Sequence, residues 1–340
     1  MGDIIGWDVG GAHLKAARVS EGHVVEVVQL PCTLWQGLTH LETAFAAMRE
    51  RIGDAPRHAI TTTGELTDLF TTRQEGVALL VAALQRMLMP AELAVYAGRR
   101  GFVTAQDAAA HAADVASANW HASASIAARH CDALLVDMGS TTTDIIPVAG
   151  GKVVATAHND ADRLASGELV YTGMTRSFLM AECRKVPLRG RYVPLMNEYF
   201  ANMADVYRIL GLLDQAHDQH ATADGRDKSV EHSRARLARM LGMDVNDATE
   251  GEWHLVATWF MHRQIQKIMD ATYLVCSRNV KMIDVPIVSA GIGSLVVEKV
   301  AARLNRPCRS FSSVIGIDAK QLEWASACAP AAAVALLLHT

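Results

Sequence analysis

Twice in this chain an apolar run ends in Asp-X-Gly and is followed at once by residues that alternate as a returning strand. The first copy is "IIGWDVGGAHLKAARV", from Ile4, and the second is "ALLVDMGSTTTDIIPV", from Ala133. Alternation with a period of two reads as half-buried strand, and the glycines between the two runs read as a tight reversal. A unit of this kind repeated so far apart restricts the architecture strongly. It predicts two related α/β lobes facing each other across a cleft. At 340 residues the chain is long enough for two domains or for one large domain with a split core.

The intervening sequence fits alternating strands and helices. Ser20-Glu21-Gly22 is the turn of a hairpin, Leu38 to Arg51 a helix, and "HAITTTGEL" a strand ending in the hydroxyls of Thr61, Thr62 and Thr63. "EGVALLVAALQRMLM" is a helix, "AVYAGRRGFV" a further strand-like run, and 105–130 an alanine-rich helical stretch broken at "SANW". Gly150-Gly151 closes the second hairpin. From about 160 to 282 the pattern is mostly helical. "DVPIVSAGIGSLVVEKVAARL" is strand, glycine turn and helix, and "CAPAAAVALLLHT" is the closing helix. The expected division is a first lobe with a connecting helix over 1–130, and a second lobe over 131–340 containing a helical insertion at about 160–282.

Composition excludes several function classes. Half the residues are hydrophobic, one in five is charged and the formal net charge is −4, which argues against a broad basic surface for nucleic acid. The six cysteines are scattered with no CxxC pair, and none of the fourteen histidines forms an HExxH pair, so neither disulfides nor a zinc site is expected. The N-terminus lacks the basic start and apolar run of a signal peptide. The most apolar stretch is interrupted by Pro330 and falls short of the roughly 18 to 20 residues that cross a bilayer. A cytoplasmic protein without a membrane partner is the expectation.

The repeated loops point to an anion. Gly10, Gly11 and Gly139 let backbone N–H groups approach a phosphate with no Cβ in the way, and Ser140, Thr141, Thr142 and Thr143 add hydroxyl donors. Asp8 and Asp137 at the two strand ends would repel a bare phosphate but suit Mg²⁺ placed between them, and Lys15 adds a point charge. The third glycine turn, with Gly291 and Gly293, can pack on a flat ring or another phosphate. Each such turn taken alone is equally a plain hairpin or strand–helix turn. His13 and Asn119 are candidates for substrate contact, while Trp120 reads as packing. Glu65 is a candidate general base or simply a carboxylate at a helix N-terminus. Asp224, near Lys228 in a polar loop, is a candidate for substrate contact or simply a solvated charge in a turn. Arg236 pairs with Arg239 on one helix face and is either an anion ligand or a surface arginine.

The order of these pieces resembles the acetate and sugar kinase, heat-shock chaperone and actin superfamily. That resemblance implies a two-lobed actin-like ATPase (ribonuclease H-like) fold in which the first two loops hold phosphates and metal and the late loop meets adenosine. The corresponding pieces are 8–15, 105–119, 137–144, 290–294 and 329–338. "DMGSTTTDIIPV" looks like the hydantoinase A and acetone carboxylase branch. "WDVGGAHLK", "TTTGELTD", "SANW", "GELVYTG", "ADVYRILG", "TADG", "RARLARMLGMD" and "VSAGIGS" together resemble the tetrahydromethanopterin-linked one-carbon pathway proteins. Archaeal members of that family act in methanofuran biosynthesis. The family reaction joins an aminomethyl-furan-methyl diphosphate to the phenol oxygen of a tyrosine- or tyramine-derived acceptor, giving an aryl ether and diphosphate. The resemblance implies a cytoplasmic transferase with small-molecule substrates and Mg²⁺, without a requirement for ATP. An ATP-dependent kinase, a hydantoinase-like enzyme and a nucleotide-switched non-catalytic partner are the alternatives, and a homodimer is left open.

Overall fold

The computed structural model describes residues 2–317 and 324–340. The first lobe runs β1 (Ile4–Val9), β2 (His13–Ser20), β3 (His23–Pro31), α1 (Leu38–Ile52), β4 (Arg57–Thr62), α2 (Arg73–Leu88), β5 (Glu92–Tyr96) and β6 (Phe102–Thr104). Its sheet has the order β3-β2-β1-β4-β5-β6. The hairpin strands are antiparallel to β1, while β4 and β5 continue in parallel. Glu21 and Gly22 both take positive φ, 51° and 81°, which gives the two-residue turn a twist that matches its strands.

Two helices follow, α3 (Ala112–Val115) and α4 (Asn119–Ala128), and the second sheet then repeats the plan. It is built from β7 (Ala133–Met138), β8 (Thr143–Ala149), β9 (Lys152–Val153) and, after α5 (Asp160–Ser166), β10 (Leu169–Val170). The chain then leaves the sheet for α6 (Leu179–Glu182), the hairpin β11 (Lys185–Leu188) and β12 (Arg191–Pro194), and α7 (Met203–Ile209), α8 (Val230–Met240) and α9 (Glu250–Ser277). It returns with β13 (Ile287–Ala290), α10 (Ser294–Arg303), β14 (Cys308–Ser310), α11 (Phe311–Val314) and α12 (Ala329–His339). The order is β10-β8-β7-β13-β14, with β9 beside β8. In both sheets a central strand carries an antiparallel neighbour on one side and a parallel one on the other. This is the α/β architecture that the resemblance to the actin superfamily implied.

Strand β1 is buried along its whole length because helices cover both faces. On one face Trp7 stacks on Phe45 of α1 at 4.5 Å, and burying an aromatic of that kind contributes about 2–3 kcal/mol. On the other lies α12, packed on β1, β2, β4 and α4. The contact is close because both surfaces are small: a Cβ on Gly6 would sit 2.1 Å from the Ala331 carbonyl and 2.9 Å from the Ala335 Cβ. The last helix of the chain thus completes the first lobe, while α4 packs on β7 and β8 of the second.

Three expectations need correction. "AVYAGRRGFV" is two antiparallel strands around a 3₁₀ turn, since Gly98 and Gly101 both take positive φ. In the alanine-rich stretch 105–111 is turn and not helix; the break expected at "SANW" is present, with Ser117 at φ 52° between Val115 and Asn119, and the longer helix starts at Asn119, whose side chain accepts the Trp120 N–H. The segment 160–282 also contains the β11–β12 hairpin among its helices.

Candidate functional site

The loops after β1 and β7 face one another across a cleft of ≈ 580 Å³. Each loop is a reversal with its carbonyls tied back. Gly11 and Ala12 accept from Leu34 N and Cys32 N at 3.1 and 2.9 Å. In the second loop Gly139 O accepts from Met174 N, and Ser140 O from Thr175 N and Arg176 N, at 2.8 to 3.2 Å. Gly173 permits that backing, because a Cβ there would lie 2.5 Å from the Ser140–Thr141 backbone. Gly10 N–H and Gly139 N–H close their own loops on His13 O and Thr142 O at 3.0 and 2.9 Å, so what is left for the cleft is the N–H groups at the loop tips and the hydroxyls of the second loop, which favours an anion.

The floor holds the charges. Asp8 and Lys15 are cross-strand partners in the β1–β2 register, and their side chains meet at 3.5 Å. At the matching place in the second hairpin Asp137 faces Asp144, and Arg163 neutralises Asp144 at 2.8 Å. Burial raises the pKa of Asp8 despite the opposing pull of Lys15 and Asn119. Burial, then the neighbouring Asp144 carboxylate, raises that of Asp137 to about 7. For Lys15 burial opposes the charge, but Asp8 and Asp137 outweigh it and hold the ammonium above its ordinary value. One cation therefore sits among carboxylates that share its charge incompletely.

Oδ1 of Asp8 is buried without a hydrogen-bond partner. That orphan oxygen, with Asp137 nearby, fits a Mg²⁺ that takes one or two carboxylates and completes its shell with water and substrate phosphate. Among the described residues no group of three or more His, Cys, Asp or Glu forms a metal cage by itself.

The upper wall is aromatic. His13 lines the cleft, is 6% exposed, and lies edge-on to His220 at 4.6 Å; Trp35 is the next ring at 5.9 Å. The Arg176 guanidinium sits over Trp35 at 5.3 Å. Burial first, then His220, Lys15 and Arg176, hold His13 well below its ordinary pKa and keep it neutral. On the opposite side Arg163 covers the Trp120 ring at 4.1 Å.

Asp8, Gly10, Gly11, His13, Lys15, Asn119, Asp137, Gly139, Ser140, Thr141 and Thr142 all line the cleft. The remaining sequence candidates do not. Thr143 is fully buried and donates its hydroxyl to Thr172 O at 2.7 Å. Gly291 and Gly293 pack beneath the second loop, where added Cβ atoms would lie 2.2 Å from Met138 O and 2.4 Å from Met138 Cγ. Glu65 is 2% exposed and committed: Oε1 accepts from the Ser117 N–H and hydroxyl, Oε2 from the Thr62 hydroxyl. It holds the loop before α4 in place and does not reach the cleft as a base. Arg236 is fully buried, bound to Asp205 at 2.8 Å, Asp224 at 3.0 Å and Ser233 at 3.1 Å. Its anion is protein carboxylate, and Asp224 is part of that cluster.

Sequence reasoning missed Trp35, Arg163, Arg176 and Tyr171, which also line the cleft. The two arginines carry no periodic signal. Only the stretch "GELVYTG", ending three residues before Arg176, marked the region.

Residues 57–340 match the family model described as hydantoinase/oxoprolinase. The chain is 32% identical over 243 residues to a Methanocaldococcus jannaschii protein named (4-{4-[2-(gamma-L-glutamylamino)ethyl]phenoxymethyl}furan-2-yl)methanamine synthase, covering 71% of this chain and 72% of that one. A Methanococcus vannielii protein of the same name is 28% identical over 210 residues, covering 60% of this chain and 90% of the relative. A solved ROK family glucokinase from Streptomyces griseus, in complex with glucose and AMPPNP, is 14% identical with a TM-score of 0.48, covering 98% of each chain.

Proposed function

The chain belongs to the hydantoinase/oxoprolinase family, with the archaeal synthases among its relatives, and from that premise we propose that it is a diphosphate-displacing transferase. It joins an aminomethyl-furan-methyl diphosphate to the oxygen of a tyrosine- or tyramine-derived phenol and releases diphosphate. The observation that carries this reading is the pair of loops with their carbonyls tied back, closing on Lys15 between Asp8 and Asp137.

The chain's own part begins with the leaving group. N–H groups and hydroxyls of the two loops, with Lys15, surround the diphosphate where negative charge develops as the C–O bond breaks. They are preorganised by bonds on their far side, so little reorganisation accompanies ionisation. Asp8 and Asp137 would hold Mg²⁺, which supplies charge neutralisation for the departing diphosphate. The furan ring supports the positive carbon left behind, and the water-poor floor protects it until the phenol arrives. ATP is not required in this reading; Gly291 and Gly293 face Met138 instead of the cleft. No helix among the described residues is long and apolar enough to cross a membrane.

Purified protein incubated with the furan-methyl diphosphate, Mg²⁺ and tyrosine or γ-glutamyltyramine should yield diphosphate and an aryl ether in equal amounts. Absence of ether with every such phenol, together with phosphate release from ATP on addition of a small substrate, would replace this reading with an ATP-dependent one.

A further inference from the structure

Helix α9 buries a glutamine in its apolar stripe. Phe260, Gln264 and Ile268 follow one another at a spacing of four, all fully buried, and only the middle one is polar. An amide in such a place costs free energy unless its donors and its acceptor are met. Here they are met, and both donors go to one segment. Nε2 donates to Thr172 Oγ1 at 2.7 Å and to Gly173 O at 2.9 Å, while Oε1 accepts from the Tyr207 hydroxyl of α7. The amide cannot turn over, because its oxygen would then face the Gly173 carbonyl. Nor can Thr172 donate to it, since that hydroxyl donates to Glu182 at 2.6 Å, and Glu182 is held by Lys267 at 2.9 Å. Burial keeps the Tyr207 phenol above its ordinary pKa, and so a donor.

The two residues that Gln264 grips are those against which the second loop is built. Thr172 O accepts the Thr143 hydroxyl at 2.7 Å, and Gly173 lies directly against the Ser140–Thr141 backbone. The residues after Gly173 donate their N–H groups to Gly139 O and Ser140 O. Ser177 closes the Gly173 turn from within, accepting the Gly173 N–H at 2.7 Å, while Gln264 and Glu182 tie the closed turn to the helical insertion. Resting on the reading of this loop as a holder of diphosphate, we propose that Gln264 is a positioning residue: through Thr172 and Gly173 it fixes where the second loop stands in the cleft, without touching the ligand. Donors stabilise a departing anion only where its charge develops, and a misplacement of about 1 Å can cost 10²-fold in rate.

The test separates the side of the amide that faces the loop from the side that does not. Gln264→Leu removes the bonds to Thr172 and Gly173, whereas Tyr207→Phe removes only the bond to Oε1 and controls for damage to the same core. Both full-length variants are melted by circular dichroism and titrated with Mg²⁺ and diphosphate in a calorimeter. At whatever Tm each shows, Gln264→Leu should weaken diphosphate binding roughly tenfold and Tyr207→Phe should leave it within about twofold. Equal weakening by both, or none by Gln264→Leu, would make the glutamine a core bond alone and overturn the inference. In ether formation Gln264→Leu should lower kcat by roughly 10²-fold with the KM of the phenol unchanged. A raised phenol KM with kcat intact would overturn it. Gln264→Glu adds a pH readout, since a carboxyl there donates to Gly173 O only while protonated. Its kcat/KM should fall with rising pH along a limb that wild type lacks, and parallel profiles would remove the role of the donor. If wild type binds diphosphate yet forms no ether, the condensation reading fails while the binding comparison still decides Gln264. Absence of diphosphate binding to wild type would overturn both.

Discussion

Asp137 shows how much a single residue owes to its neighbours. Its carboxyl is pushed up to about 7 by burial and by Asp144 across the hairpin. A carboxyl whose pKa is higher folded than unfolded binds its proton more tightly in the folded state, so stability falls as pH rises between the two values. Without ligand, Tm should therefore decline from pH 5 to pH 8, and Asp137→Asn should flatten part of that decline in thermal melts. Glu65, also raised to about 7 by burial, adds to the same slope. Lys15→Met should lower kcat by about 10² to 10³, the loss of one preorganised charge at the leaving group, with diphosphate release as the readout. Asp8, Lys15 and Asp137 were legible as a charged floor from their place at glycine-bearing strand ends. The commitment of Glu65 to Ser117 was not, since those residues are joined only by the folding of α4 against the first lobe.

Among the elements, α12 and α8 carry the sharpest consequences. Gly6 touches the backbone of α12, and a backbone carbonyl cannot swing aside as a side chain can. Gly6→Val should cost about 3 kcal/mol in urea unfolding, the upper range of overpacking. Helix α8 buries Arg236 against Asp205 and Asp224. Arg236→Met leaves the Asp205 carboxylate buried with less compensation and should destabilise the protein by about 3–5 kcal/mol. From the sequence, Arg236 and Arg239 were neighbours on one face, and both do reach Asp224. What periodicity could not give was the partner, because a helix with scattered arginines reads the same whether it faces solvent or a buried carboxylate.

Across the whole molecule, the two lobes meet through more than the cleft floor. Arg73 of α2 pairs with Asp160 of α5 at 2.9 Å, and Gln29 of β3 meets Gln219 at 3.4 Å. The segment that carries Gln219 and His220 is fixed from behind by Asp218, which binds Arg208 and Lys228. A polar loop of the helical insertion thus backs His13, which lines a site whose floor belongs to both hairpins. A ligand gripped by both loops should stabilise the whole chain: diphosphate with Mg²⁺ at a hundredfold excess over Kd contributes about 2.7 kcal/mol. In thermal melts Asp137→Ala should lose the Mg²⁺-dependent part of that gain.

The sequence by itself determined the repeated strand–glycine–strand unit, the alternation around it, and with these the two sheets and the two loops that face one another. Those features are local: a period of two, a glycine at a reversal and an acid at a strand end declare themselves within a few residues. Only the tertiary structure decided which charges face the cleft and which are spent on each other. Arg236 and Arg176 look alike in the sequence, yet one is buried among aspartates and the other is exposed over Trp35. The difference lies in partners far along the chain, and the free energy of a charge is set by what surrounds it.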